Sequence, residues 1–95
     1  MPITPKNLVY HELIGLGVRV IRSRCRGYRG ISGVVVDETR NTLVIEGGDG
    51  KRRRVVKDAC LFHFRLPTGC VVAVDGRVLV GRPEDRLGRR PLRRW

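Results

Sequence analysis

Residues 30–50 read GISGVVVDETRNTLVIEGGDG. Ile31 to Val36 is a β-branched run, and Leu43 to Ile45 is a second apolar run. Between them Asp37-Glu38-Thr39-Arg40-Asn41-Thr42 supplies turn residues. An Asp at the start of such a turn hydrogen-bonds the backbone ahead of it, and Asn41 tolerates positive φ. Gly33 has no side chain and marks a bend or bulge where a strand curls strongly. A glycine-bent strand feeding a tight hairpin is how a small sheet closes on itself. The stretch therefore predicts a small, strongly bent antiparallel β-barrel with the remaining chain attached to it.

Upstream, GVRVIRSRCR at 17–26 sets Val18, Val20 and Ile21 among four arginines, the alternation of a half-exposed strand. Before it, TPKNLVYHELIGL at 4–16 predicts a short helix. Thr4 is its cap, Pro5 its first residue, and Gly15 and Gly17 its stop. Downstream, Gly47 to Gly50 turn the chain and Val55-Val56 continue as a strand. LFHFRL at 61–66 alternates, and Pro67-Thr68-Gly69 turn again into a strand over 70–74. Asp75-Gly76 predicts a tight hairpin, with Arg77 to Val80 pairing back. Six or seven short strands result, a mainly β chain. Pro83, Glu84 and Asp85 open a second helix that leads into the basic tail RRPLRRW. The expected layout is one domain over 1–95: a helical segment at 1–16, the barrel at 17–81, and a C-terminal helix and basic tail at 82–95.

Charge narrows the function. Twenty Lys and Arg face nine Asp and Glu, a net charge of +11, and seventeen of the basic residues are Arg. Arginine presents a flat fork of donors that grips phosphate at two points. On so short a chain this excess repels itself until a polyanion neutralises it, and nucleic acid is the simplest one. Cys25, Cys60 and Cys70 are odd in number and show no C-x-x-C pairing, against a disulfide scaffold or a zinc knuckle. No apolar run approaches the ~20 residues a bilayer span requires. The N-terminus lacks the layout of a signal peptide. A soluble, cytoplasmic protein with no membrane partner is expected.

No catalytic constellation emerges. His11 and His63 lie far apart, and no nucleophile motif or phosphate-binding glycine loop is present. Asp37-Glu38 and Glu84-Asp85 are neighbours, and neighbouring acids on a strand point to opposite faces. The basic residues are better grouped. Arg22, Arg24, Arg26 and Arg29 run into one loop; Lys51, Arg52, Arg53 and Arg54 leave another; Arg82, Arg86, Arg89 and Arg90 recur along the final helix. A single run of like charge is ordinarily a solvated face, but three in one small domain favour a nucleic-acid surface. Tyr28 and Trp95 offer rings for base stacking, although packing is the commoner role for such residues.

ELIGL at 12–16, GISGVVVDETRNTL at 30–43, VVKD at 55–58, FHFRLP at 62–67, VDGRVLVG at 74–81 and RPEDRL at 82–87 follow one another in a set order. On these the chain resembles the Sm-like-barrel protein subunit of archaeal and eukaryotic ribonuclease P, shared with eukaryotic RNase MRP. The resemblance implies an Sm-like barrel with short N-terminal and C-terminal helices. It also implies a place in the endoribonuclease that removes the 5′ leader of precursor tRNA. The RNA subunit carries that chemistry with magnesium ions; this chain binds the RNA and contributes neither a catalytic group nor a metal ligand. A zinc-ribbon protein subunit is the implied protein partner, met by position through Leu8, Val9, Leu13 and Leu16. In isolation the chain is expected to be a monomer. The rival reading is another RNA-binding barrel, a ribosomal protein or an Sm-type riboregulator, the latter forming a homomeric ring.

Overall fold

Period-two patterning decides which segments become strands. In the segments Thr42–Glu46 and Cys60–Arg65 every second residue is buried, which turns Leu43, Ile45, Phe62 and Phe64 inward. A computed structural model describes Leu8 and residues 11–81. Six strands form there: β1 (Gly17–Ser23), β2 (Ser32–Glu38), β3 (Thr42–Glu46), β4 (Arg52–Val56), β5 (Cys60–Arg65) and β6 (Val71–Asp75). They make one sheet in the order β4-β3-β2-β1-β5-β6, antiparallel throughout. Among the described residues the sheet is open, with β4 and β6 at its edges.

The sheet curls where the sequence loses a side chain. Gly33 has φ +156°, and a Cβ there would run into the Glu46 carbonyl of β3. Register shifts between Val20 and Arg22 and between Val35 and Asp37 add further bend. The inner face is filled mainly by Val, Leu and Ile, with the Phe62 and Phe64 rings 5.6 Å apart at its centre.

Several elements differ from expectation, each for a local reason. The β2–β3 turn is built on Thr39, whose N–H donates to the Thr42 carbonyl (3.0 Å) and whose Oγ1 accepts from the Thr42 N–H (3.1 Å). Asn41 does not take positive φ; among the described residues only glycines do. Asp37 accepts from the next N–H, that of Glu38, at 2.8 Å. β1 ends at Ser23, and a 3₁₀ turn over Arg26–Tyr28 replaces its expected continuation. Residues 11–16 form no helix. There Gly15 (φ +96°) donates to Val35 O at 2.8 Å and Leu16 O accepts from Val35 N at 3.0 Å, so these backbone groups extend the sheet. Of the rest of the predicted N-terminal helix only Leu8 is described, and the predicted C-terminal helix lies outside the described residues.

Arg77 to Val80 does not pair back as a strand. Asp75 Oδ1 accepts from Arg77 N at 3.0 Å and starts the 3₁₀ turn Gly76–Leu79. This turn crosses to a second one, Lys57–Ala59, that follows β4. The approach is so close that a Cβ on Gly76 would collide with the Lys57 carbonyl.

At this crossing Lys57 is fully buried. Its Nζ donates to Glu38 Oε2 (2.7 Å), Thr39 O (2.8 Å), Arg40 O (3.2 Å) and Gly81 O (2.8 Å). The Lys57 and Glu38 side chains are each 0% exposed. One ammonium therefore ties the β2–β3 turn to the chain leaving the Gly76–Leu79 turn. Gly81 N reinforces the tie by donating to Arg40 O at 2.7 Å.

Candidate nucleic-acid interface

Folding leaves every described arginine exposed, and Lys51 with them; Lys57 is the basic residue taken inside. The reason is the strand period. Core positions are apolar, so arginines fall on the alternate face or in the turns.

Two of the three basic runs are brought together. Arg29, after the first 3₁₀ turn, and Arg53, on β4, line one cleft of about 310 Å³ with Gly47, Gly48 and Asp49. Arg29 also lines an adjoining cleft of about 370 Å³ with Arg19 of β1. Arg22 and Arg24 lie apart from these, in a cleft of about 330 Å³ shared with Arg77, Asp58 and Asp75. Arg26, Lys51, Arg52 and Arg54 are exposed nearby in sequence. Arg82, Arg86, Arg89 and Arg90 lie outside the described residues.

Carboxylates orient some of these forks. Arg24 Nη2 is 3.5 Å from Asp58 Oδ1, Arg52 Nε is 3.3 Å from Glu46 Oε1, and Arg53 Nη2 is 3.6 Å from Asp49 Oδ2. The Lys51 N–H holds the Asp49 carboxyl below its usual range, and Arg53 adds to the effect. Arg77 does the same for Asp75, donating from Nη2 to Oδ2 at 2.8 Å. Such exposed pairs are weak and open readily to a stronger anion. Among the described residues no carboxylate pairs with Arg22, Arg26, Arg29 or Arg54. These guanidinium groups are displayed to solvent and suited to two-point contact with phosphate.

The leucines read as partner contacts are placed otherwise. Leu8, Leu13 and Leu16 are 1%, 0% and 8% exposed and belong to the chain's own core, because the 15–16 backbone is paired with β2. Val9 lies outside the described residues. What this segment displays is Ile14, 43% exposed. Tyr28 packs partly against the core, and Trp95 is outside the described residues.

Sequence reasoning passed over Arg19, Arg65 and Lys57. Arg65 is alone in its strand, and Arg19 is set apart from the arginines that run into the loop after β1. The signal was the strand alternation, which puts both on the outer face. Burial raises the Cys60 thiol pKa, whereas Cys25 and Cys70 are exposed. No group of three His, Cys, Asp or Glu able to hold a metal ion occurs among the described residues. Nor is any described helix long and apolar enough to cross a membrane.

Comparison with known proteins gives one answer by each route. Residues 6–89 match the family model "Ribonuclease P/MRP, subunit p29". The chain is similar to ribonuclease P protein component 1 of Methanothermobacter thermautotrophicus, 59% identical over 90% of this chain and 91% of that one. It is similar to the same component of Methanocaldococcus jannaschii, 55% identical over 90% of this chain and 88% of that one. A solved structure of a homologue of the human RNase P protein Rpp29 superposes with TM-score 0.60 at 60% identity, covering 80% of this chain and 97% of that one.

Proposed function

The chain belongs to the ribonuclease P/MRP subunit p29 family, and on that premise we propose that it works by holding the folded RNA of the enzyme with arginines fixed on a curled sheet. The observation that carries this is the cleft shared by Arg29 and Arg53, which joins two basic runs distant in sequence. Their forks meet crowded phosphates, release counterions and let RNA helices approach one another. The chemistry of leader removal and the magnesium ions belong to the RNA subunit. This chain lowers the magnesium the RNA needs to fold and adds no reacting group. Arg22, Arg24, Arg26, Lys51, Arg52 and Arg54 extend the surface, and Arg82, Arg86, Arg89 and Arg90 continue it along the C-terminal segment.

In this reading the six-stranded sheet, bent at Gly33 and drawn together at its ends by Lys57, is the Sm-like barrel, with a short helix at each terminus. The zinc-ribbon subunit docks on the N-terminal segment, with Ile14 and Val9 taking the contact once assigned to the buried leucines. Precursor tRNA is met indirectly, through the RNA. The free chain is a monomer, and the archaeal sources of the relatives support a cytoplasmic location.

The test is reconstitution. Ribonuclease P RNA assembled with the Arg29→Ala, Arg53→Ala chain should need several-fold more magnesium to reach half-maximal leader removal, with the rate at saturating magnesium little changed. An unaltered magnesium requirement would contradict the proposal.

A further inference from the structure

The outer face of the sheet carries a groove of about 550 Å³ that none of the basic runs explains. It follows from the register. Val34 of β2, Gly17 of β1, Arg65 of β5 and Val71 of β6 are cross-strand partners in one row. The next row sets Arg19 between Ser32 and His63. Side chains stand along both rows except at Gly17, and the gap is the groove's floor.

Backbone geometry does not demand that glycine. Gly17 has no positive φ, and a Cβ there would meet only the Arg65 Cβ, at an ordinary 3.5 Å. Gly33, by contrast, is required by its close approach to Glu46. Gly17 opens β1 yet is paired with a strand on each side, and a glycine so placed gives up packing and leaves room for something else to approach the backbone. The gap is walled by Val34, 44% exposed, on one side and by Arg65 on the other, with Val71, 54% exposed, beyond Arg65. Its rim is basic. Arg19 and Arg65 are diagonal neighbours, about 7–8 Å apart at Cα by strand geometry, and the His63 ring is the partner of Arg19. No carboxylate lines the groove among the described residues.

We propose that this groove is a nucleotide site for single-stranded RNA: an unstacked base lies over Gly17 between Val34 and the apolar stem of Arg65, against the His63 ring, and its phosphates are held by the Arg19 and Arg65 forks. The proposal rests on the RNA-binding reading and adds to it a site, a strandedness and the residues that confer it. The volume suits a small ligand, within the roughly 300–1,000 Å³ usual for such clefts. A valine, an arginine stem and a ring take a base face without regard to its identity, and paired forks take the backbone. An acidic peptide fits less well. Peptides gain affinity by adding to a free strand edge, and the strands that carry the gap and its rim, β1, β2 and β5, are interior and paired on both sides, the edge strand β6 contributing only Val71.

The test uses the full chain, with an oligouridine single strand and a blunt RNA duplex titrated at physiological ionic strength. Gly17→Val fills the floor and removes no charge; Arg65→Ala opens the rim. Each should weaken oligouridine binding by about tenfold and leave duplex binding within about twofold. Thermal melting confirms that each variant is folded, and if Gly17→Val is not, Arg65→Ala decides. If the wild type binds both RNAs and neither variant weakens the single strand, the groove is not the site and the RNA-holding function stands. If the wild type retains neither RNA, that function falls and the groove with it. Displacement of oligouridine by polyglutamate from the wild type but not from Gly17→Val would assign the groove to an acidic protein and overturn the nucleotide reading.

Discussion

A lysine taken to zero exposure needs an anion and enough oxygens for its three donors, and Lys57 has both in Glu38 and the carbonyls of Thr39, Arg40 and Gly81. Removing the ammonium takes from the buried Glu38 carboxylate its cationic partner at 2.7 Å. Lys57→Ala should therefore lower unfolding free energy by about 3–5 kcal/mol in urea titrations; a loss under about 1 kcal/mol would show that the tie is not what holds this crossing together. Gly76→Ala attacks the same crossing sterically and should destabilise by about 2–3 kcal/mol, because its Cβ has no room beside the Lys57 carbonyl. The cysteines give an independent check on burial. Cys25 and Cys70 should react with a thiol reagent in the native protein, and Cys60 only after unfolding, its thiol buried and its pKa raised. The place of Lys57 was half legible. Val55 in and Val56 out put position 57 inward, but lysines are read as surface residues. Nothing in the spacing of the chain pairs residue 57 with residue 38.

Strands with clean alternation were legible because each buries one face and so has one acceptable register. β3 and β5 are of this kind, and so is the glycine bend in β2. The errors fell where tertiary contacts override a local turn signal. Asp75-Gly76 has the residues of a tight hairpin, yet the chain enters a 3₁₀ turn because Gly76 can press against Lys57 and Asp75 receives the Arg77 N–H. Leu8, Leu13 and Leu16 have helical spacing, but the chain at Gly15 and Leu16 has paired with β2. The 3₁₀ turn also makes a pH prediction. Arg77 holds the Asp75 pKa below its unfolded value, so this contribution to stability is present above the unfolded pKa, about 3.9, and is lost as pH falls through the folded one. Asp75→Asn should leave stability less dependent on pH below about 4, as followed by urea denaturation across that range.

At the scale of the whole molecule, a net charge of +11 predicts a polyanionic partner, but composition does not say where the charge gathers. Runs in the sequence located the loops. The fold was needed to show that Arg29 and Arg53 share one cleft and that Arg19 links it to the sheet's outer face. Exposed arginines fixed on a rigid sheet act chiefly by displacing counterions from RNA, and that action has a direct signature in salt. The binding constant of the full chain for structured ribonuclease P RNA should be measured across a series of salt concentrations. With about five arginines on phosphate, the logarithm of the constant should fall against the logarithm of salt concentration with a slope of roughly −3 to −5. A slope near zero would contradict an RNA interface built from these arginines.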